Sequence, residues 1–234
     1  MCAWALQHDL ITHNPVEGTP TYRTQTLPPE ALTIDDLRQI RLAIKAWVET
    51  PSATLQRSYV TLDLFDFMLG TGCRTGEALA VKWEDVSFTP PQVAITGTVV
   101  TVKGRTVRQE FTKTASGLRI VTLPEHVAAR LQELAGLSDP DCPFVFPARG
   151  GGVISPNNWR RSLREALRGT PYAGFTPYKL RKTAATLIAK EMSLEAASAT
   201  LGHSDTAVTK RHYAQRQLEA PDTSSVLQEV FNQL

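Results

Sequence analysis

Apolar residues recur at helical spacing along most of the chain. From Thr33, the positions Ile34, Leu37, Ile40, Ile44 and Trp47 fall on one face of a helix. Thr33 with Asp36 makes an approximate capping box, Asp standing in for the usual Glu. A second helix is expected from about Gln56 to Leu69, rich in Leu and Phe and therefore central to the core. Gly70-Thr71-Gly72 breaks it, and a short helix resumes near Thr75 and ends by Trp83. The texture then changes. Val93 to Ile95, Thr98 to Val102, Val107 to Phe111 and Leu118 to Leu123 are β-branched runs, with turns at Lys103-Gly104 and Ala115-Ser116-Gly117. They predict a small three-stranded antiparallel sheet. Helical patterns return over Pro124 to Leu134, Ser155 to Leu167, Pro177 to Lys190, Ser193 to Leu201, Asp205 to Gln215 and Ser224 to Leu234. The expected class is α+β, mostly α, with the sheet on one side of a helical domain.

The N-terminal part reads differently. Ala3 to Thr12 fits one helix, residues 13–20 form a turn-rich break, and the stretch to Leu27-Pro28-Pro29 has linker composition. Residues 1–26 are therefore expected to be an arm or the remnant of a preceding domain. Residues 27–234 are expected to form one domain that includes a C-terminal tail helix. In that tail, Val226, Leu227, Val230, Phe231 and Leu234 form an apolar stripe, which fits packing on its own domain or on a neighbour.

With 42% hydrophobic and 21% charged residues, the chain has enough apolar mass for a sizeable core. No apolar stretch approaches the roughly 18 residues that cross a bilayer. Residues 1–7 lack the basic start and apolar run of a secretory signal. Cys2, Cys73 and Cys142 are odd in number and scattered, which suits reduced thiols, so a cytoplasmic setting without membrane is expected. The net charge of +2 hides an asymmetry. Between Pro156 and Arg216 there are eleven basic and four acidic side chains, a net +7, which leaves the remainder at −5. That fits either a footprint for a polyanion or a solvated helical surface.

Four segments hold candidate chemistry, and each is ambiguous by itself. In Gly70-Thr71-Gly72-Cys73-Arg74-Thr75-Gly76-Glu77, Arg74 begins a helix and is placed either to hold a phosphate or to sit on the surface of a capping turn. Lys113 lies at a hairpin tip, as solvated filler or as a mobile proton donor. In Pro177-Tyr178-Lys179-Leu180-Arg181, Leu180, Thr183, Ala184 and Leu187 would be buried, with Arg181 near the helix start. Leu201-Gly202-His203 closes a helix, and Tyr213 follows ten residues after His203. A histidine in such a corner and a lone tyrosine are each ordinarily structural.

In this order and spacing the four segments resemble the tyrosine recombinase (phage integrase) family, over roughly Leu32 to Tyr213. The family's first arginine box is matched by Gly72-Cys73-Arg74-Thr75-Gly76-Glu77, its hairpin lysine by Lys113, and its His-x-x-Arg box by Tyr178 to Arg181. Its Leu-Gly-His corner and nucleophile are matched by His203 and Tyr213. The resemblance implies a site-specific DNA recombinase. Tyr213 would attack a phosphodiester to give a 3′-phosphotyrosine, and Arg74 and Arg181 would neutralise the phosphate. Glu77 would support Arg74, Lys113 would protonate the leaving 5′ oxygen, and His203 would bond the phosphate or take the tyrosine proton.

One departure stands out: Tyr178 replaces the usual histidine. A phenol with an unperturbed pKa of about 10 can orient a phosphate but not shuttle a proton near neutrality. Arg160, Arg161, Lys179, Lys182, Lys210 and Arg211 are candidate DNA contacts. Neither metal nor other cofactor is implied. Further implied are double-stranded DNA with attachment sites, a homotetramer on DNA from a monomer off it, and accessory directionality proteins. A chain that keeps only the last helix of the family's DNA-clamping domain is expected to bind DNA weakly. Two rivals share the residue types: a type IB topoisomerase-like nicking-closing enzyme, and a non-enzymatic helix-turn-helix DNA-binding protein over Ser193 to Tyr213.

Overall fold

Thr33 starts the main body as the hydroxyl pattern predicts. Its backbone N–H donates to Asp36 Oδ2 at 2.9 Å and its Oγ1 accepts from the Asp36 N–H at 3.1 Å, which caps α2 (Ile34–Glu49). The computed structural model describes residues 2–18, 31–52, 57–110, 118–202 and 220–234. These fall into two compact units, residues 1–30 and 31–234. The first unit holds α1 (Cys2–Gln7), which buries no residue. It is shorter than the expected Ala3 to Thr12, because Asp9 takes a positive φ of 54° and turns the chain out of the helix.

In the second unit α2 buries Leu37, Ile40 and Ile44 against α3 (Val60–Thr71). α3 is buried on nearly every side, as its predominantly apolar sequence suits a central helix. It also carries two buried carboxylates, and each faces an arginine from a flanking helix. Arg130 Nε lies 2.8 Å from Asp63, and Arg41 Nε lies 3.0 Å from Asp66. Burial nevertheless raises the Asp63 carboxyl above its ordinary range, against the pull of its Arg130 hydrogen bond. The helix runs through Gly70 and Thr71, further than expected, and stops at Gly72, which adopts φ +62°. α4 (Thr75–Ala78) is a single turn, and a 3₁₀ turn follows at Trp83–Asp85.

The strands are β1 (Val86–Phe88), β2 (Pro91–Ile95), β3 (Thr98–Val102), β4 (Arg105–Gln109) and β5 (Arg119–Thr122). A three-stranded antiparallel sheet is present, in the order β1-β2-β5, while among the described residues β3 and β4 pair with each other alone. The expectation of one sheet made from the four runs is thus corrected. The chain leaves the first ladder at Thr96-Gly97, and β2 pairs across the insertion with β5, Val93 opposite Val121. Gly97 allows the crossing, since a Cβ there would lie 2.6 Å from the Gln109 carbonyl oxygen. The hairpin is pinned by Arg108, whose Nε donates to Ala80 O at 2.7 Å and whose Nη2 donates to Thr96 Oγ1 at 2.7 Å.

Four further helices, α5 (Glu125–Leu137), α6 (Pro156–Ala166), α7 (Tyr178–Glu191) and α8 (Leu194–Leu201), match the expected segments within a few residues. The tail helix α9 (Ser224–Gln233) is covered by its own chain. Leu227, Val230 and Phe231 are buried, Phe231 stacks on His126 with ring centroids 4.5 Å apart, and the His126 N–H donates to Gln228 Oε1 at 3.0 Å. The Arg38 side chain donates to the Gln233 carbonyl. The segment expected as a helix from Asp205 to Gln215, and the hairpin tip at Ala115-Ser116-Gly117, lie outside the described residues.

Candidate active site

Three of the four sequence segments meet around one guanidinium. Arg181 lies in the first turn of α7 with only 4% of its surface exposed. Its Nη1 donates to the Gly72 carbonyl at 2.9 Å and its Nη2 to the Leu201 carbonyl at 2.8 Å. The fork of an arginine can bridge two carbonyls in one plane, which a lysine cannot. Gly72 makes the approach possible, because a Cβ there would fall 2.8 Å from Leu201 Cδ2. The sequence put Arg181 near a helix start. The structure adds that it is buried, with Leu187 only partly covered and Ile188 occupying the core instead.

Arg74 stands at the N-cap of α4 with its side chain 37% exposed, and Glu77 lies beneath it at 2%. Glu77 takes three hydrogen bonds: from the Arg74 N–H at 2.9 Å, from Arg74 Nη1 at 2.7 Å and from Arg119 Nη2 at 3.0 Å. Burial by itself would raise this carboxyl. The Arg119 charge, then the Arg74 N–H and guanidinium, outweigh it and hold the group below its ordinary range.

Sequence reasoning missed Arg119. It is 3% exposed on β5, and its Nε donates to the Thr200 carbonyl at 2.6 Å, so it ties the sheet to the end of α8 and to Glu77. A signal was present: Arg119 shares strand parity with Val121, a core residue, and a charge at such a position requires a partner.

Arg74, Arg160, Tyr178 and Arg181 line one open cavity of about 470 Å³, together with Thr176, Pro177 and the turn at Cys73 to Gly76. Among the described residues that line it there is no carboxylate. Burial, and after it the Arg74 charge, pushes the Arg181 guanidinium down to about 10. Cys73, at the cavity floor, is fully buried. Burial and then Glu77 push its thiol up to about 11, so it is no nucleophile near neutrality. Tyr178 is 66% exposed and lines the cavity with its phenol side chain.

Of the other expected contacts, Arg161 is exposed and Lys179 and Lys182 are half-buried, and none of the three lines this cavity. Lys113, His203, Lys210, Arg211 and Tyr213 lie outside the described residues. Among the described residues no group of three or more His, Cys, Asp or Glu is placed to hold a metal ion. No helix among them is long and apolar enough to cross a membrane.

A helical domain with a small antiparallel sheet, and two arginines brought from distant boxes to one cavity, define a class of protein. Residues 31–219 match the phage integrase family, and the chain belongs to it. It is similar to a tyrosine recombinase XerC-like protein of Caldanaerobacter subterraneus subsp. tengcongensis, 26% identical, the match covering 90% of this chain and 58% of that protein. An integrase of Streptomyces ambofaciens is also 26% identical, with 95% and 59% covered. The chain therefore spans a little under three fifths of the curated relatives it matches. Among solved structures, the Tn1549 transposon integrase in complex with a circular intermediate DNA superposes with a TM-score of 0.67 at 18% identity, over 99% of this chain and 75% of that one. A lambda integrase dimer bound to a COC′ core site gives 0.53 at 17%, over 92% and 71%. These likenesses show the fold.

Proposed function

We propose that this chain is the catalytic domain of a site-specific DNA recombinase that breaks and rejoins strands through Tyr213. The observation that carries the reading is the shared cavity of Arg74 and Arg181, with no carboxylate among the described residues of its wall. A phosphodiester repels nucleophiles, and negative charge grows on its non-bridging oxygens as the transition state forms. Two fixed guanidinium groups offset that charge without reorganising. Glu77 fixes Arg74 by two hydrogen bonds, and the carbonyls of Gly72 and Leu201 fix Arg181. Tyr178 donates a phenolic hydrogen bond to the same phosphate.

In the proposed step the Tyr213 phenolic oxygen bonds to phosphorus as the P–O5′ bond breaks. His203 accepts the phenol proton, and Lys113 gives a proton to the departing 5′ oxygen. The 3′-phosphotyrosine preserves the bond, so a 5′ hydroxyl from another strand can reverse the step. The relatives' names and the DNA complexes of the structural neighbours support double-stranded DNA as the substrate. A homotetramer joining two sites is the assembly that pairwise exchange requires.

The test uses nicked duplexes in which the released fragment diffuses away and traps the adduct. A pool with randomised sequence around the nick removes the need to know the attachment site. The parent is expected to form a covalent protein–DNA adduct and Tyr213→Phe none. An adduct that persists in the variant, or none with the parent, refutes the proposal. Joined products from two duplexes separate recombination from relaxation by nicking and closing.

A further inference from the structure

Arg160 is a third guanidinium on the cavity wall, and it comes from an element that carries none of the family's boxes. α6 is capped by Ser155, whose hydroxyl accepts from the Asn157 N–H, and carries Pro156 in its first turn. Its buried face is Trp159, Leu163 and Ala166. The packing of Trp159 rotates the adjacent Arg160 outward, and Arg160 Nη1 donates to Asn157 Oδ1 at 3.1 Å. That bond restrains the side chain without neutralising it, since asparagine carries no charge.

Other exposed arginines on and just after this helix differ. Arg168 is paired with Glu165 at 2.6 Å, whereas Arg160 forms no ion pair among the described residues. Arg161 and Arg164 are exposed but do not line the cavity. Arg160, held by a neutral partner, thus lines a cavity that two other cations line, and no carboxylate of the described residues lines it with them. Placing three guanidiniums on one concavity therefore points to a ligand carrying localised negative charge. Tyr178 lines the same wall, so the neutral residue and the extra cation share one site.

We propose that Arg160 is a phosphate-binding residue of the strand-cleavage step, contacting a non-bridging oxygen of the scissile phosphate. It supplies the positive charge that the phenol of Tyr178 cannot. The inference rests on the recombinase reading. It predicts that Arg160 stabilises charge developing on the non-bridging oxygens, rather than holding DNA in general.

The experiment measures single-turnover adduct formation at saturating protein, on the duplex most efficiently captured from the randomised pool. Parent, Arg160→Met, Arg160→Lys and the control Arg164→Met are compared, each checked for an unchanged thermal melt. A second duplex carries a neutral methylphosphonate at the scissile position only. On the ordinary phosphodiester, Arg160→Met is expected to be slower by about 10²-fold, of the order seen for a removed oxyanion donor. Arg160→Lys falls between it and the parent, and Arg164→Met stays within about threefold of the parent, its change confined to binding. On the methylphosphonate the Arg160→Met defect shrinks to within about threefold, because the charge it offsets is gone.

A full-rate Arg160→Met, while Tyr213→Phe still abolishes the adduct, overturns this inference and leaves the recombinase reading standing. A defect of equal size on both duplexes also overturns it, since Arg160 then acts on binding alone. A parent that captures no duplex overturns both.

Discussion

Glu77 is the carboxylate on which the arginine arrangement turns, and Glu77→Gln isolates its charge. Glutamine keeps the volume and one acceptor oxygen but loses the negative charge and the second oxygen. Three donors converge on the native group, of which Arg119 Nη2 at 3.0 Å is the deeply buried one, both partners showing 4% or less of their side chains. Removing one member of such a buried pair costs about 3–5 kcal/mol, because a buried charge loses its counter-charge. The Arg74 contact adds little, since its side chain is 37% exposed and surface pairs contribute about 0–1 kcal/mol. Arg119 also keeps its bond to the Thr200 carbonyl, which puts the expected loss at the lower end, about 3 kcal/mol. In a chain of this size that lowers Tm by roughly 6–12 °C. Urea titrations followed by far-UV circular dichroism read the loss directly. The double variant Glu77→Leu with Arg119→Met removes both charges and is expected to be more stable than the two single losses imply. A Glu77→Gln protein within about 0.5 kcal/mol of the parent refutes the reasoning, as does a double variant that equals the combined singles.

Two further outcomes follow from the same geometry. Because folding holds the Glu77 carboxyl below its ordinary value of 4.5, its contribution is complete above that pH and is lost as the pH falls through the lower folded value. The stability gap between parent and Glu77→Gln is therefore constant near neutrality and closes in acid; a gap that widens below pH 4.5 contradicts the assignment. Phe231→Ala strips the stacked ring from His126 and opens a core position, at a cost of about 3 kcal/mol in the monomer. A monomer that loses less than 1 kcal/mol in urea would mean that α9 does not hold its own domain in solution.

The parts of the fold that were legible in the sequence are those set by local chemistry. Thr33 and Asp36 announce a helix start because the capping bonds span three residues, and the α6 and α7 segments are fixed by their own periodicity. The sheet was only half legible. Its strands have the right composition, but whether β2 continues into β3 or waits for β5 depends on Gly97, where the backbone passes too close to Gln109 for a side chain. β1 escaped because its alternation, Val86-Ser87-Phe88, is only three residues long before Thr89 and two prolines, too short to read as a strand. At the site, the boxes identified Arg74, Glu77 and Arg181 by type and spacing. The depth of Arg181 depends on two carbonyls from other elements, which no local pattern encodes.

Arg119 shows why the supporting framework is harder to read than the site it supports. Candidate active residues announce themselves by chemistry that a surface needs no reason to carry. A supporting residue is recognisable only once its neighbours in space are known, because the same arginine on the other strand parity would be ordinary. The cavity has a cost that the core does not show. Glu77 is shared between Arg74 and Arg119, Arg181 rests on neutral carbonyls, and Arg160 rests on an amide, so cationic charge exceeds anionic charge where the elements converge. A chain that gathers guanidiniums in one concavity without a carboxylate for each is stabilised there when an anion binds, as the proposed phosphate site requires.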